Sequence, residues 1–313
     1  MQRAIGIEGR AIGCMLGQLC GDALGSLVEF HRPDQIADLY PEGVRDMADG
    51  GVWDTIAGQP TDDSEMALAL ARSLVKCGAY DVDDVRHAYV QWLESSPFDC
   101  GMTVAAGLMG TQNTESQANG ALMRISPLAI FGVGGDRIQL AALARQDAML
   151  THPHQACVEV NTLYVLGLAH AIECGCDGAE LFEYIRGLAI ELEVGDAVMA
   201  AITDAASSPP PDFMYQMGWV LLAFQNALWQ IVHAPSLEEG VVNSIMQGGD
   251  TDTNAAIAGA MLGAVHGMDA IPERWRRAVL SCRPEAGDDR ALQPRPSCYW
   301  PCDAVELAVN LLR

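Results

Sequence analysis

The chain has 313 residues, half of them hydrophobic and only 19% charged, and a formal net charge of −23. With no basic stripe to displace counterions from a phosphate backbone, it is not expected to bind polynucleotide, although a small anionic ligand stays open. Apolar material is ample for a large core, but no apolar stretch is long and unbroken enough to span a bilayer, so no membrane association is expected.

Residues 4–28 resemble a signal sequence superficially. Glu8, Arg10 and Asp22 interrupt the apolar run, and no small-residue cleavage site follows it. The segment is therefore read as a helix of a cytoplasmic protein, with Ile12, Met15, Leu16, Leu19 and Ala23 forming one stripe. Gly21 and Gly25 each cost about 1 kcal/mol relative to Ala inside a helix. Their presence calls for close approach of this backbone to another helix or to a ligand. Glu29 ends the run, either as a simple carboxylate at a helix end or as a general acid/base with a tuned pKa.

A second stripe, Met66, Ala69, Leu70 and Leu74, follows the acidic cluster at 61–64. Helical spacing then recurs over 82–93, 101–108, 121–131, 138–150, 154–173 and 179–192. It continues over 214–232, 236–246, 254–266, 272–281 and 304–312. No sustained period-two alternation suggests a sheet. Loops are marked by Asp49-Gly50-Gly51, by 207–211 and by the polar segment 283–296. The expectation is an all-α fold, a single compact orthogonal multi-helix domain over residues 1–313. The ten cysteines are singletons apart from Cys174-Gly175-Cys176, and none has zinc-finger spacing. They read as reduced thiols, with Cys14 and Cys20 on apolar helical faces.

Two short clusters carry the chemistry: Thr61-Asp62-Asp63-Ser64 and Asp250-Thr251-Asp252-Thr253, each directly before an apolar helical run. Ser, Thr and Asp at such positions often do no more than cap a helix. Two clusters of the same make-up that meet in space would instead present several carboxylate and hydroxyl oxygens to hard divalent cations, Mg²⁺ or Mn²⁺ rather than Zn²⁺. Between them, Ser116, Gln117, Ala118, Asn119 and Gly120 form a small polar turn that reads as opening a helix, a geometry suited to an anion. His152 and His154 head another helix, as caps or as contacts to a ligand oxygen.

Taken in order, these segments resemble the ADP-ribosylglycohydrolase family. The matching pieces are G-D-A-L-G-S-L-V-E-F at 21–30, T-D-D-S at 61–64, D-C-G-M-T at 99–103, N-G-A-L-M-R at 119–124, T-H at 151–152 and G-G-D-T-D-T at 248–253. The resemblance covers roughly residues 10–270. It implies an all-α fold with a binuclear Mg²⁺ or Mn²⁺ centre at the floor of a cleft. Thr61, Asp62 and Asp63 would ligate from one side, and Asp250, Asp252 and Thr253 from the other. Glu29 matches the family's mechanistic carboxylate, with Asp99 as the next candidate. Ser116 to Gly120 and His152 match segments that contact the ADP-ribose diphosphate and proximal ribose; Asp99 to Thr103 match a loop beside the distal ribose. Met102 departs from the polar residue often found in the bacterial branch, so a side-chain hydrogen bond is expected to be missing there. Phe213 or Tyr215 is a candidate to stack on adenine. The V-E-F ending resembles the arginine-directed bacterial branch more than the serine-directed animal branch. The implied activity is metal-dependent removal of ADP-ribose from arginine of a modified protein or a small ADP-ribose conjugate. The alternatives are another linkage (O-acetyl-ADP-ribose, ADP-ribosyl-serine or a nucleobase) and a non-catalytic relative, since the family also includes a lens crystallin.

Overall fold

The structure, a computed structural model, describes residues 6–313. Residues 4 and 5 of the expected N-terminal helix lie outside the described residues. Helix α1 spans Ile7–Gly25 and is followed by α2 (Pro33–Leu39), α3 (Asp62–Cys77), α4 (Val82–Glu94), α5 (Met102–Leu108), α6 (Ser126–Phe131) and α7 (Arg137–Met149). The second half contains α8 (Gln155–Cys174), α9 (Gly178–Glu191), α10 (Asp196–Ala205), α11 (Val220–His233), α12 (Leu237–Met246), α13 (Thr251–His266), α14 (Glu273–Ser281) and α15 (Ala304–Leu311). No strand occurs among the described residues beyond two isolated bridges, Gly50 with Thr55 and Ala118 with Trp219. Local chemistry starts several helices. Asp81 accepts from the N–H groups of Asp83 and Asp84 at the head of α4, and Asp177 and Glu180 form a capping box at α9.

Helices α1 and α13 are the centre of the molecule, and α6, α8, α11, α12 and α15 wrap around them. Residues 10–25 of α1 and 251–264 of α13 are buried without a break. The pair runs antiparallel with almost nothing between the backbones. A Cβ at Gly13, Gly17, Gly21 or Gly25 would sit 2.4, 2.1, 2.1 or 2.5 Å from the carbonyl oxygen of Gly263, Gly259, Ala255 or Thr251, respectively. The helix-interior cost of Gly21 and Gly25 is thus offset by packing that no side chain allows. This seam also sets the function-bearing geometry: antiparallel registry brings the C-terminal end of α1 against the N-terminal end of α13.

Two expected boundaries move, and two helices were not anticipated. The segment 121–124 is a turn, and helix begins only at Ser126, because Pro127 is tolerated only in a first turn. The segment 214–219 is likewise irregular, so α11 starts at Val220. Helix α2 buries only Ile36 and offers no stripe to read. Helix α10 does carry one, Val198, Ala201, Ile202 and Ala205. All ten cysteines are free, and Cys14 and Cys20 are buried as expected. No helix among the described residues is long and apolar enough to cross a membrane.

Candidate active site

The two acidic clusters meet. Thr61 is the N-cap of α3 and Asp250 that of α13, yet neither side chain caps its own helix. The N-terminus of α3 is satisfied from α1 instead. Asp22 accepts hydrogen bonds from the Thr61 N–H (3.1 Å), the Thr61 hydroxyl (2.9 Å) and the Ser64 N–H (3.1 Å). A carboxylate there also opposes the positive end of the helix dipole. Relieved of capping, the cluster side chains turn inward. Asp63 Oδ2 accepts from the Thr253 hydroxyl at 3.2 Å and lies 3.4 Å from the Thr61 hydroxyl, so the two clusters join on one carboxylate. Its other oxygen, Asp63 Oδ1, is buried with no hydrogen-bond partner among the described residues.

Glu29 reaches the same point through a locked turn. Gly248 and Gly249 both take positive φ (75° and 76°), and a Cβ on either would collide with the carbonyl oxygen of His31 or Phe213, respectively. The Phe30 N–H donates to Gly249 O at 2.7 Å and the Gly249 N–H to His31 O at 3.0 Å. Phe30 itself is held at φ 63°, a conformation that non-glycine residues rarely adopt. The result places carboxylate oxygens of Glu29, Asp250 and Asp252 within 4.8 Å of one another. The Trp53 indole N–H donates to Glu29 Oε2 at 2.5 Å, and Trp53 in turn packs between Phe30 and Phe98.

Crowding and burial push every one of these carboxyls upward. Glu29 rises to about 8, from burial first and then the charge of Asp250, against the opposing Trp53 hydrogen bond. Asp99 rises to about 7, from burial and the charge of Glu29, and Asp22 to about 6, from burial. Burial also holds Asp62, Asp63 and Asp252 well above the usual carboxylate range, with neighbouring carboxylates adding to it. Among the described residues, no Lys, Arg or His forms an ion pair with any of them. Buried carboxylates without a cationic side chain either keep protons or take metal ions. The oxygen-only donor set and the unpartnered Asp63 Oδ1 fit hard divalent cations.

Above this floor lies a cleft of about 440 Å³. Glu29, Asp62, Asp99, Asp250 and Thr253 form its base, and Met102, Thr103, Asn119, Gly120 and His152 its walls. Met102, at 89% exposure, stands at the rim with no hydrogen bond to offer. Asn119 donates to Asp250 Oδ2 at 2.7 Å, and the Gly101 N–H donates to Asp62 at 3.3 Å, so both wall segments are tied to the floor. Ser116 pairs with Thr103 through their hydroxyls at 2.8 Å. Gln117 lies in an adjoining groove of about 660 Å³ that meets the cleft at Ala118, Met217 and Gly218. The expectation that 116–120 opens a helix is corrected. Gln117 and Asn119 bridge to Val220 and Gly218 in extended backbone, and no helix dipole points at the cleft from there. Phe213, 4% exposed, is committed to the core, whereas Tyr215 is exposed. His154 does cap α8, accepting from the Ala156 N–H at 3.2 Å.

Sequence reasoning did not single out Asp22 as a cap, Trp53 as a partner of Glu29, or Arg295. That last residue, 5% exposed, pairs with Glu65 at 2.8 Å and donates to the Ser95 carbonyl and hydroxyl, pinning the loop that leads to Asp99.

Comparison with known proteins adds to this geometry. A family model described as ADP-ribosylglycohydrolase matches residues 4–296. The chain is 31% identical over 285 residues to the ADP-ribosyl-(dinitrogen reductase) glycohydrolase of Rhodospirillum rubrum, covering 86% of this chain and 90% of that one. It is 28% identical over 288 residues to the ADP-ribosylarginine hydrolase Tri1 of Pseudomonas putida, covering 86% and 74%. A solved structure titled ADP-ribosylglycohydrolase-related protein complex superposes with a TM-score of 0.79 at 27% identity, over 98% of both chains.

Proposed function

Because this chain belongs to the ADP-ribosylglycohydrolase family, we propose that it hydrolyses the N-glycosidic bond between ADP-ribose and a modified protein arginine, with two divalent cations, Mg²⁺ or Mn²⁺, held in the acidic floor. The observation that carries this reading is the meeting of two carboxylate–hydroxyl clusters on Asp63, whose second oxygen is buried and unpartnered. Thr61, Asp62 and Asp63 would hold the cations from α3, and Asp250, Asp252 and Thr253 from α13. Bound there, such cations would supply Lewis-acid charge that orients ribose hydroxyls and acidifies water.

The chain's own residues then do the rest. Cleaving the bond leaves positive charge on the ribose ring, and the surrounding carboxylates stabilise that charge where it develops. The carbon–nitrogen bond breaks with its electron pair going to the guanidine, and water oxygen adds to the anomeric carbon. Glu29, held at one oxygen by Trp53 and with a carboxylate oxygen within 4.8 Å of those of Asp250 and Asp252, takes the proton that water releases. Asp99, also at the base of the cleft, is the second carboxyl able to hold it. Asn119 and Gly120 line the path of the ADP-ribose, and the adjoining groove past Gln117 has room for its distal end. The net charge of −23 favours a cationic guanidinium over a neutral leaving group, and ten free thiols suit a reducing, cytoplasmic setting.

The test is side-by-side incubation with ADP-ribosyl-arginine, ADP-ribosyl-serine and O-acetyl-ADP-ribose. The arginine conjugate is expected to be cleaved fastest, with its advantage shrinking as ionic strength rises. Equal rates, or a preference for serine, would move the chain to the second reading, in which the same site cleaves another ADP-ribose linkage.

A further inference from the structure

Behind the cleft wall, a chain of buried polar groups ends on His152. Arg124 and Asp147 are both fully buried and paired, Nε to Oδ2 at 3.2 Å. A second guanidinium nitrogen donates to the Asp147 carbonyl at 3.1 Å, and the Tyr89 and Tyr80 hydroxyls donate to Asp147 Oδ1 at 3.1 and 3.3 Å. The guanidinium also lies 4.4 Å from the centre of the Tyr89 ring. Its remaining arm donates to the Thr151 hydroxyl oxygen at 2.9 Å, and that oxygen lies 2.8 Å from His152 Nδ1.

The hydrogen-bond logic has one fully satisfied solution. Arginine can only donate, so the Thr151 oxygen accepts from Arg124. The Thr151 hydroxyl proton then has one described neighbour that can accept it, His152 Nδ1. If Nδ1 carried the ring proton instead, a fully buried hydroxyl would lose its acceptor, which is costly. The ring is also kept neutral, its pKa pulled down to about 3 by burial and then by the Arg124 charge. The proton therefore resides on Nε2, a buried atom in the cleft wall without a hydrogen-bond partner among the described residues. Gly120 packs beside that atom with no side chain of its own, since a Cβ there would stand 3.2 Å from Nε2 and 2.8 Å from a Val104 methyl.

We infer that the buried Arg124–Asp147 pair, acting through the Thr151 hydroxyl, locks His152 in its Nε2–H tautomer and so presents one fixed hydrogen-bond donor to a ligand oxygen in the cleft. Arg124, Asp147 and Thr151 are positioning residues that touch no ligand themselves. That the oxygen belongs to ADP-ribose rests on the proposed function; the state of the ring does not. A neutral donor whose proton is assigned in advance discriminates for acceptors, a ribose oxygen or phosphate, against donors such as an amine.

The experiment is ¹⁵N NMR of the histidine rings in the ligand-free full chain, with the His152 signals assigned by their absence from His152→Gln. Wild type and Thr151→Ser, which keeps the hydroxyl, are expected to show the Nε2–H tautomer. Thr151→Val keeps the shape and removes the relay, and is expected to show a mixture or the Nδ1–H form. Its affinity for free ADP-ribose, by calorimetry, should fall about tenfold, with Thr151→Ser restoring most of it. An Nδ1–H ring in wild type overturns the inference with no variant needed, and so does a Thr151→Val ring unchanged from wild type. A ring locked as expected in a wild-type chain that does not bind ADP-ribose overturns the ligand half of the inference together with the proposed function.

Discussion

Along the seam between α1 and α13, every fourth residue of α1 from Gly13 to Gly25 is glycine, and the two backbones touch with no side chain between them. At the end of that seam, Asp22, Glu29, Asp62, Asp63, Asp99, Asp250 and Asp252 gather, and among the described residues no cationic side chain pairs with them. The seam is complete as it stands, because its apolar contacts and helical hydrogen bonds need nothing from outside. The cleft is incomplete: burial and mutual repulsion raise its carboxyls, and Asp63 Oδ1 has no partner among the described residues. The region that stabilises the fold thus ends on a region that opposes it, to which α3 and the loops at Glu29 and Asp99 also contribute. Substitutions should separate the two cleanly, since relieving an electrostatically strained site often adds stability while removing function.

The largest expected effect comes from the seam. Gly21→Leu forces a side chain where a Cβ alone would meet Ala255 O at 2.1 Å. Overpacking at backbone contact costs roughly 3 kcal/mol or more. Circular dichroism should show a chain that is unfolded or melts far below wild type. A near-normal melt would mean that the seam is looser than described.

The cleft should respond the other way. Asp252→Ala and Asp62→Ala should lose turnover by about 10³-fold or more, the scale of several kcal/mol of transition-state charge stabilisation. Their thermal melts should stay close to wild type. Unfolding of both would return the clusters to the role of helix caps.

A smaller loss is expected at Glu29. Glu29→Gln preserves the hydrogen bond reach to Trp53 but cannot take a proton, and turnover should fall about 10²-fold, with ADP-ribose binding retained. Near-normal steady-state rates would transfer the proton-handling role to Asp99.

The subtlest contrast is the pH dependence of stability without metal. Glu29 at about 8 and Asp99 at about 7 are raised above their ordinary 4.5 and 3.8, so the folded chain retains protons that the unfolded chain has released. Their contribution is fully present below about pH 4 and is lost as pH rises through 7 and 8. In chelator, the melting temperature should therefore fall between pH 5 and pH 8.5 by a few degrees. Saturating Mg²⁺ should flatten that fall by engaging the ionised set. Asp63→Asn should flatten it without metal and melt above wild type at pH 8.5. A melting temperature that rises with pH in chelator would contradict the crowded-carboxylate picture.

Much of this contrast was legible in the sequence. Helical periodicity located most helices, and Gly21 and Gly25, being costly in a helix, signalled the close approach that the seam provides. The two acidic clusters announced oxygen chemistry, and the fold brings them together as the paired pattern required. What was hidden depends on contacts between distant segments. Asp22 looks like one polar interruption of an apolar helix, yet it caps another helix 39 residues further on. Trp53 sits in an irregular stretch with no period, and nothing in its spacing signals that its indole reaches Glu29. Arg295 belongs to a polar segment that composition marks as a loop, although its side chain is buried against Glu65. The misread 116–124 segment shows the local limit. Its polar residues before an apolar run resemble a helix start, but Pro127 delays the helix and leaves a turn bridged to the start of α11.

The most direct measurement is turnover of ADP-ribosyl-arginine by chelator-stripped wild-type chain as Mg²⁺ or Mn²⁺ is titrated back, with cation binding followed by calorimetry. No turnover is expected in chelator, with saturable recovery as two cations bind per chain, and neither binding nor recovery in Asp63→Asn. Full turnover in excess chelator, or recovery without measurable cation binding, would contradict it.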